Sequence, residues 1–207
     1  MSSQPLLLGR RHLLGLAAAA AAAALAAPAL ALTPGAAIPG ASGLVARVRR
    51  ELDRLGPAIA NRDVAGVADF ASASSQPRFH LVDLATGSVT TLLVAHGRGS
   101  DPTHSGWVRR FSNDPGSAAS SEGAFRTGEL YVGAHGRSMR LAGLDATNSN
   151  AEARAIVVHG AWYVGPQVLH EHGQLGRSEG CFAFAPSEVD QVIARLGPGR
   201  LLLSTKL

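Results

Sequence analysis

The single cysteine of this 207-residue chain lies in a short motif whose residue types suit a nucleophilic site. The motif reads Ser178-Glu179-Gly180-Cys181 and follows Arg177. A glycine before a nucleophile permits a tight turn in which successive backbone N–H groups converge on one point. A nearby arginine favours the thiolate, which is the reactive form of cysteine. We therefore expect Cys181 to be a nucleophile, with a small, buried and inert cysteine as the alternative.

A cysteine nucleophile needs a base, and histidine is the side chain that titrates in the required range. His159 closes an apolar run and precedes Gly160, so we expect it at a strand end that opens into a cleft. His170 and His172 lie in a polar connection further along the chain. His159 is the expected base, His172 a candidate substrate-binding residue and His170 a solvated loop residue. The sequence assigns no role to His135.

The same histidines permit a metal site as an alternative. His170-Glu171-His172 has an H-x-H spacing and, together with His159, offers three imidazoles to zinc. That spacing arises easily by chance among eight histidines, and no acidic general base follows it at a fixed distance. We expect neither a metal nor another cofactor.

A longer stretch around these residues resembles a known family. The run IVVHGAWYVGPQVLHEHGQLGRSEGCFAF is similar to the catalytic segment of the L,D-transpeptidase (YkuD-like) family, in particular its divergent murein L,D-transpeptidase branch. Further matches are FHLVDLATG, LVAHGRGSD and FSNDPGSAASSEGAFRTGE, so the resemblance covers roughly residues 77 to 205. The chain departs from the pattern at Glu179, Phe182 and Ala142, where histidine, proline and histidine are more usual.

The resemblance implies both a fold and a reaction. The fold is mainly β: an L,D-transpeptidase-like β-sandwich or mixed-sheet catalytic domain with one or two short helices. In the reaction, Cys181 attacks the amide between an L- and a D-centre of a peptidoglycan stem peptide, with His159 as base, oriented by the Gly160 carbonyl. The alternatives are a carboxypeptidase or endopeptidase that uses the same cysteine, a zinc peptidase, and a non-catalytic cell-wall-binding module.

The resemblance also assigns roles to the residues around the cysteine. Backbone N–H groups of Glu179, Gly180 and Cys181 would stabilise the oxyanion of the tetrahedral intermediate. Ser178 and Arg177 would shape the substrate pocket, and Arg177 could pair with a substrate carboxylate.

Strands and hairpins are predicted to position these residues. RFHLVDLATGSVTTLLVAHG contains two β-branched runs separated by residues 85–88, and two more runs surround residues 133–136, which is typical of two hairpins. The polar segment 97–125 is a long loop of the kind that forms a cleft wall. Further predicted elements are a strand over 155–160, a helix over 186–197 and a strand over 200–205.

The N-terminal part differs in composition from the rest. Residues 1–31 contain a basic pair, an alanine-rich apolar run and a small-residue site, the layout of a signal peptide. Residues 32–75 are predicted to be a linker and a short helical segment, with two helices separated by Gly56-Pro57. The catalytic domain is expected over 76–207.

Charge and hydropathy restrict the partners. The formal net charge is +4, and no block of basic residues alternates with aromatic residues, so nucleic acid is not an expected ligand. No second apolar stretch follows the signal peptide, so no stable membrane span is expected in the exported form. We expect an exported protein, periplasmic or associated with the cell envelope, that acts on peptidoglycan stem peptides. The sequence does not indicate an oligomeric state.

Overall fold

The centre of the molecule is a mixed sheet of eight strands. The computed structural model describes residues 41–207, and the expected signal peptide lies outside the described residues. The strands are β1 (Val64–Asp69), β2 (Phe79–Asp83), β3 (Val89–Leu92), β4 (Gly123–Gly133), β5 (Gly136–Gly143), β6 (Val157–Gly160), β7 (Phe182–Phe184) and β8 (Leu201–Thr205). Their order across the sheet is β3-β2-β1-β8-β4-β5-β6-β7. The pairs β1–β8 and β6–β7 are parallel, and the other neighbours are antiparallel.

Helices cover both faces of the sheet. Helix α1 (Ala41–Leu55) packs Val48 and Leu52, one turn apart, on β1 and β8. Helix α3 (Val189–Leu196) lies on the opposite face, where its apolar stripe joins the largest core cluster. The short helix α2 (Pro166–His172) has no buried residue and lies between β6 and β7 in sequence. Within residues 41–207, no helix has both the length and the apolar character to cross a membrane.

The prediction of a second helix after Gly56-Pro57 is wrong. Residues 56–58 form one turn of 3-10 helix, and the chain then enters β1, which pairs with β2 and β8. Five of the six β1 residues are buried, so the strand lacks the alternation that identifies a half-exposed strand. Its alanine, glycine and valine spacing also suits a helix, and packing in the sheet decides between the two. The sheet therefore begins upstream of the expected boundary at residue 76.

The remaining predictions agree with the structure except around the cysteine. Both hairpins form, as β2–β3 and β4–β5, and the predicted strand, helix and final strand are β6, α3 and β8. The mainly β, mixed-sheet class is confirmed. The sequence missed β7 and α2: β7 is only three residues long, and α2 falls in the stretch predicted as a polar connection.

Candidate active site

The pairing of β6 with β7 brings His159 and Cys181 to the same face of the sheet. Val158 lies opposite Phe182, and His159 lies opposite Ala183. Val158 and Phe182 point into the core beneath α3, so their neighbours His159 and Ala183 point to the other face. Cys181 precedes β7 by one residue and, by the same alternation, shares the face of Ala183. His159 on β6 and Cys181, directly before β7, are therefore one diagonal step apart.

His159 is held by burial and by one hydrogen bond. Its Nδ1 lies 2.9 Å from the carbonyl oxygen of Gly160, the contact that the sequence analysis expected. A carbonyl only accepts hydrogen bonds, so Nδ1 carries the proton and Nε2 is left as a basic nitrogen. Burial lowers the pKa of His159 and outweighs the Gly160 hydrogen bond, which raises it. The imidazole is thus neutral near pH 7, as a general base must be.

A second imidazole lies on His159, contributed by the turn between β4 and β5. The rings of His135 and His159 are stacked, with centroids 4.3 Å apart and planes inclined by 26°. His135 is exposed, whereas His159 is 2% exposed. A positive charge on His135 further lowers the pKa of His159. The sequence gave no role to His135 because this contact arises from hairpin geometry rather than from a motif.

Cys181 is half-buried and lies directly before β7. Its Sγ donates to the carbonyl oxygen of Ala155 at 3.5 Å. Burial raises the pKa of the Cys181 thiol, whereas a hydrogen bond from the Val157 backbone and the positive charge of Arg154 lower it, and the negative charge of Glu179 raises it. The resting cysteine is therefore a thiol that needs a base when it reacts.

Gly180 permits the chain to turn into Cys181. Its φ of +118° lies in a region that side chains rarely adopt. A Cβ at this position would lie 2.7 Å from both the Ala119 carbonyl oxygen and Ile156 Cδ1. The neighbouring backbone is equally close, because a Cβ on Gly97 would lie 2.7 Å from Gly180 N. Only glycine fits at position 180 without movement of its surroundings.

The Ser178 side chain stabilises the same turn through two hydrogen bonds. Its Oγ donates to the Cys181 carbonyl oxygen at 2.7 Å, and the Gly180 N–H donates to that Oγ at 3.2 Å. The Gly180 N–H is therefore directed at Ser178 rather than at a bound substrate. Of the three N–H groups expected in an oxyanion hole, those of Glu179 and Cys181 remain as candidates.

Arg177 is directed away from the thiol. Its guanidinium donates to the backbone carbonyl of Asp101 and makes no described contact with Cys181. The cation that acts on the thiol is Arg154, which the sequence analysis did not select because it is distant from Cys181 in the chain. Arg154 donates to the carbonyl oxygens of Ser112 and Ala119 at 2.7 and 2.5 Å. These bonds tie the long loop to the segment that precedes β6.

A buried polar network supports the segment beside this turn. The His96 carbonyl accepts from the Ser178 N–H at 2.9 Å, and the Arg78 guanidinium donates to His96 Nδ1 at 2.7 Å. His96 Nε2 lies 3.5 Å from an Asp101 carboxylate oxygen without forming a hydrogen bond. Burial and the Arg78 charge lower the pKa of His96 to about 3. Sequence reasoning missed this network, although His96 and Asp101 lie in the matched stretch LVAHGRGSD.

The other two histidines are placed elsewhere. His170 and His172 are exposed on α2, and His172 lines a groove of about 370 Å³ together with Trp162. The groove lies beyond the C-terminal ends of β6 and β7, whereas Cys181 lies directly before β7. Among the residues from 41 onward, no three His, Cys, Asp or Glu side chains are placed to hold a metal ion.

The departures from the family pattern have different environments. Phe182 is fully buried and packs edge-to-face on Phe125, with ring centroids 5.4 Å apart, so it belongs to the core rather than to the site. Ala142 is partly exposed on β5, opposite Arg126 of β4. Glu179 is exposed and forms an ion pair with Arg98 at 3.0 Å.

The mixed sheet thus carries a histidine on β6 and a cysteine directly before the neighbouring strand β7. Residues 50–204 match the family described as the L,D-transpeptidase catalytic domain. The chain belongs to this family.

Two of the solved structures to which the chain is similar are described as L,D-transpeptidases. One is an L,D-transpeptidase from Mycobacterium smegmatis, with 15% identity and a TM-score of 0.41, over 69% of this chain and 58% of that one. Another is L,D-transpeptidase 3 from Mycobacterium tuberculosis with a faropenem-derived adduct, with 13% identity and a TM-score of 0.43, over 70% and 60% of the two chains. The chain thus spans less than two thirds of these proteins. No curated protein matches it.

Proposed function

We propose that this domain is a cysteine-dependent murein L,D-transpeptidase that acts on peptidoglycan stem peptides through an acyl-enzyme on Cys181. The observation that carries the proposal is the placement of Cys181 and His159 on one face of neighbouring strands, with the proton of His159 on Nδ1. Family membership supports the choice of substrate. The expected export supports an action at the cell envelope.

The first half of the reaction forms a thioester. Nε2 of His159 takes the proton of the Cys181 thiol while the sulfur attacks the carbonyl carbon of the amide between the L- and the D-centre. The resulting oxyanion accepts from the N–H groups of Glu179 and Cys181. When the C–N bond breaks, the imidazolium returns the proton to the departing amine of the D-residue.

The second half releases the acyl group. An amine of a second stem attacks the thioester, His159 removes a proton from that amine, and the cysteine leaves and is reprotonated. Water in place of the amine would give hydrolysis by the same groups. The neutral thiol and neutral imidazole of the resting site suit this sequence, because proton transfer accompanies attack in both halves.

The test uses the purified domain, residues 32–207, with a tetrapeptide stem as donor, with and without an amine acceptor. A cross-linked product that requires the acceptor supports the transpeptidase. Tripeptide in equal yield under both conditions would establish a carboxypeptidase instead. Intact donor under both conditions, with a domain that is folded by circular dichroism, would contradict both enzymes and favour a binding module.

A further inference from the structure

A cavity of about 300 Å³ opens beside the cysteine turn and has a charged lining. Its charged residues are Arg98, Arg154 and Glu179. The long loop also contributes Pro115, Gly116 and Ala118 to the lining. The cavity therefore contains two positive charges and one negative charge, next to the residue that would carry the acyl group.

Arg154 is a fixed cation in this cavity. Beyond the two carbonyl bonds described above, its Nη1 also donates to Ser121 Oγ at 2.6 Å. Three hydrogen bonds leave two of the five guanidinium N–H donors for another acceptor. Arg154 Nη2 also lies 3.2 Å from the position that a Cβ on Gly180 would occupy. The guanidinium is thus held against the cysteine turn before any ligand binds.

Arg98 is the second cation of the cavity, and a ligand can displace the side chain with which it is paired. Its Nη2 lies 3.0 Å from a Glu179 carboxylate oxygen, and the two side chains are 60% and 76% exposed. An exposed pair of this kind is weak, so an incoming carboxylate can displace Glu179 at small cost. Glu179 also demonstrates that the cavity accepts a carboxylate on Arg98.

We propose that this cavity binds a free carboxylate of the stem peptide between Arg98 and Arg154, with Glu179 as the internal competitor that it displaces. The inference rests on the proposed function, since it assigns part of that substrate to a subsite. It also moves carboxylate recognition away from Arg177, whose guanidinium is engaged by the Asp101 backbone. Two carboxylates lie next to the amide that is cleaved: the C-terminal one of the D-residue and any side-chain carboxylate of the preceding residue.

The test measures binding without turnover. In a Cys181→Ser background, calorimetry compares the acidic tetrapeptide stem with two stems, each amidated at one of the two carboxylates. The stem whose amidation weakens binding identifies the carboxylate that occupies the cavity. Arg98→Gln should weaken binding of the acidic stem about tenfold and leave that amidated stem unchanged. Glu179→Gln should strengthen binding of the acidic stem, because it removes the competitor.

Arg109→Gln is the matched control, since Arg109 is exposed on the long loop and does not line the cavity. It should bind all stems like the background. Equal binding of acidic and amidated stems, or equal losses in the Arg98 and Arg109 variants, would overturn the proposal. The measurement detects binding and requires no turnover. The carboxylate subsite can therefore be confirmed in a protein that has no transpeptidase activity, and it can be refuted in one that is active.

Discussion

The cysteine turn and helix α2 are both rich in polar residues and lie close together in sequence, but they differ in burial and hydrogen bonding. In the turn, Ser178 and Gly180 are buried and hydrogen-bonded to each other, and the facing His159 is buried as well. On α2, His170 and His172 are exposed, and His172 Nε2 lies 3.8 Å from a carboxylate oxygen of its neighbour Glu171. Catalytic groups must be held by their surroundings, so the contrast favours the cysteine turn with His159, rather than the α2 histidines, as the place of the chemistry.

The largest loss of activity is expected when the proposed general base, His159 on β6, is replaced. His159→Ala removes the group that accepts the thiol proton, and general base catalysis contributes about 10²–10⁴-fold, so kcat/KM should fall by about 10³. Steady-state turnover of the tetrapeptide stem measures this. Cys181 should still react with iodoacetamide, which shows that the thiol stays accessible. Activity within tenfold of the parent would remove His159 from the mechanism.

The next effect concerns the geometry of the turn. Gly180→Ala forces a side chain into a positive φ and against Ala119 and Ile156, so the free energy of unfolding should fall by about 2 to 4 kcal/mol. Urea denaturation measures it. Gly87→Ala is the control, because Gly87 has a φ of +72° and open space around its Cβ position, and should cost about 1 kcal/mol. Equal losses in the two variants would show that close packing at Gly180 is unimportant.

A smaller effect should appear in the pH dependence. His135→Ala uncovers His159 and removes the electrostatic effect of the His135 ring, and both changes raise the pKa of His159. The acidic limb of the kcat/KM profile should therefore move to higher pH, so that activity is lost sooner as the pH falls. His135→Phe keeps the stacked ring without its charge and should move the limb less. An unchanged limb in both variants would show that His135 does not act on the base.

The smallest effect is expected on α2. His172→Ala and His170→Ala change exposed side chains away from the cysteine, so turnover of the tetrapeptide stem should change by less than about twofold. A rise in KM for His172→Ala alone would restore His172 as a substrate-binding residue through the Trp162 groove.

The sequence predicted those parts of the site that depend on local pattern. His159-Gly160 ends an apolar strand, and Gly180 precedes the cysteine, so short-range rules were sufficient. The same rules failed for β1, where small residues satisfy helical and strand spacing alike and only pairing with β8 decides. They also selected Arg177 as the cation that acts on the thiol, because Arg177 is close to Cys181 in sequence. Arg154 is distant in sequence but close in space. Contacts such as His135 on His159 depend on how the hairpin folds over the sheet.

The proposed reaction depends on acylation of Cys181. The most direct measurement is intact-protein mass spectrometry of the domain mixed with the tetrapeptide stem and stopped with acid, followed by peptide mapping. We expect a mass increase equal to the mass of the stem minus that of the released D-amino acid, located on the peptide that contains Cys181. The Cys181→Ser protein should show no adduct while retaining a parent-like urea transition. Turnover by Cys181→Ser at a near-parent rate, or an adduct on another residue, would show that Cys181 is not the nucleophile.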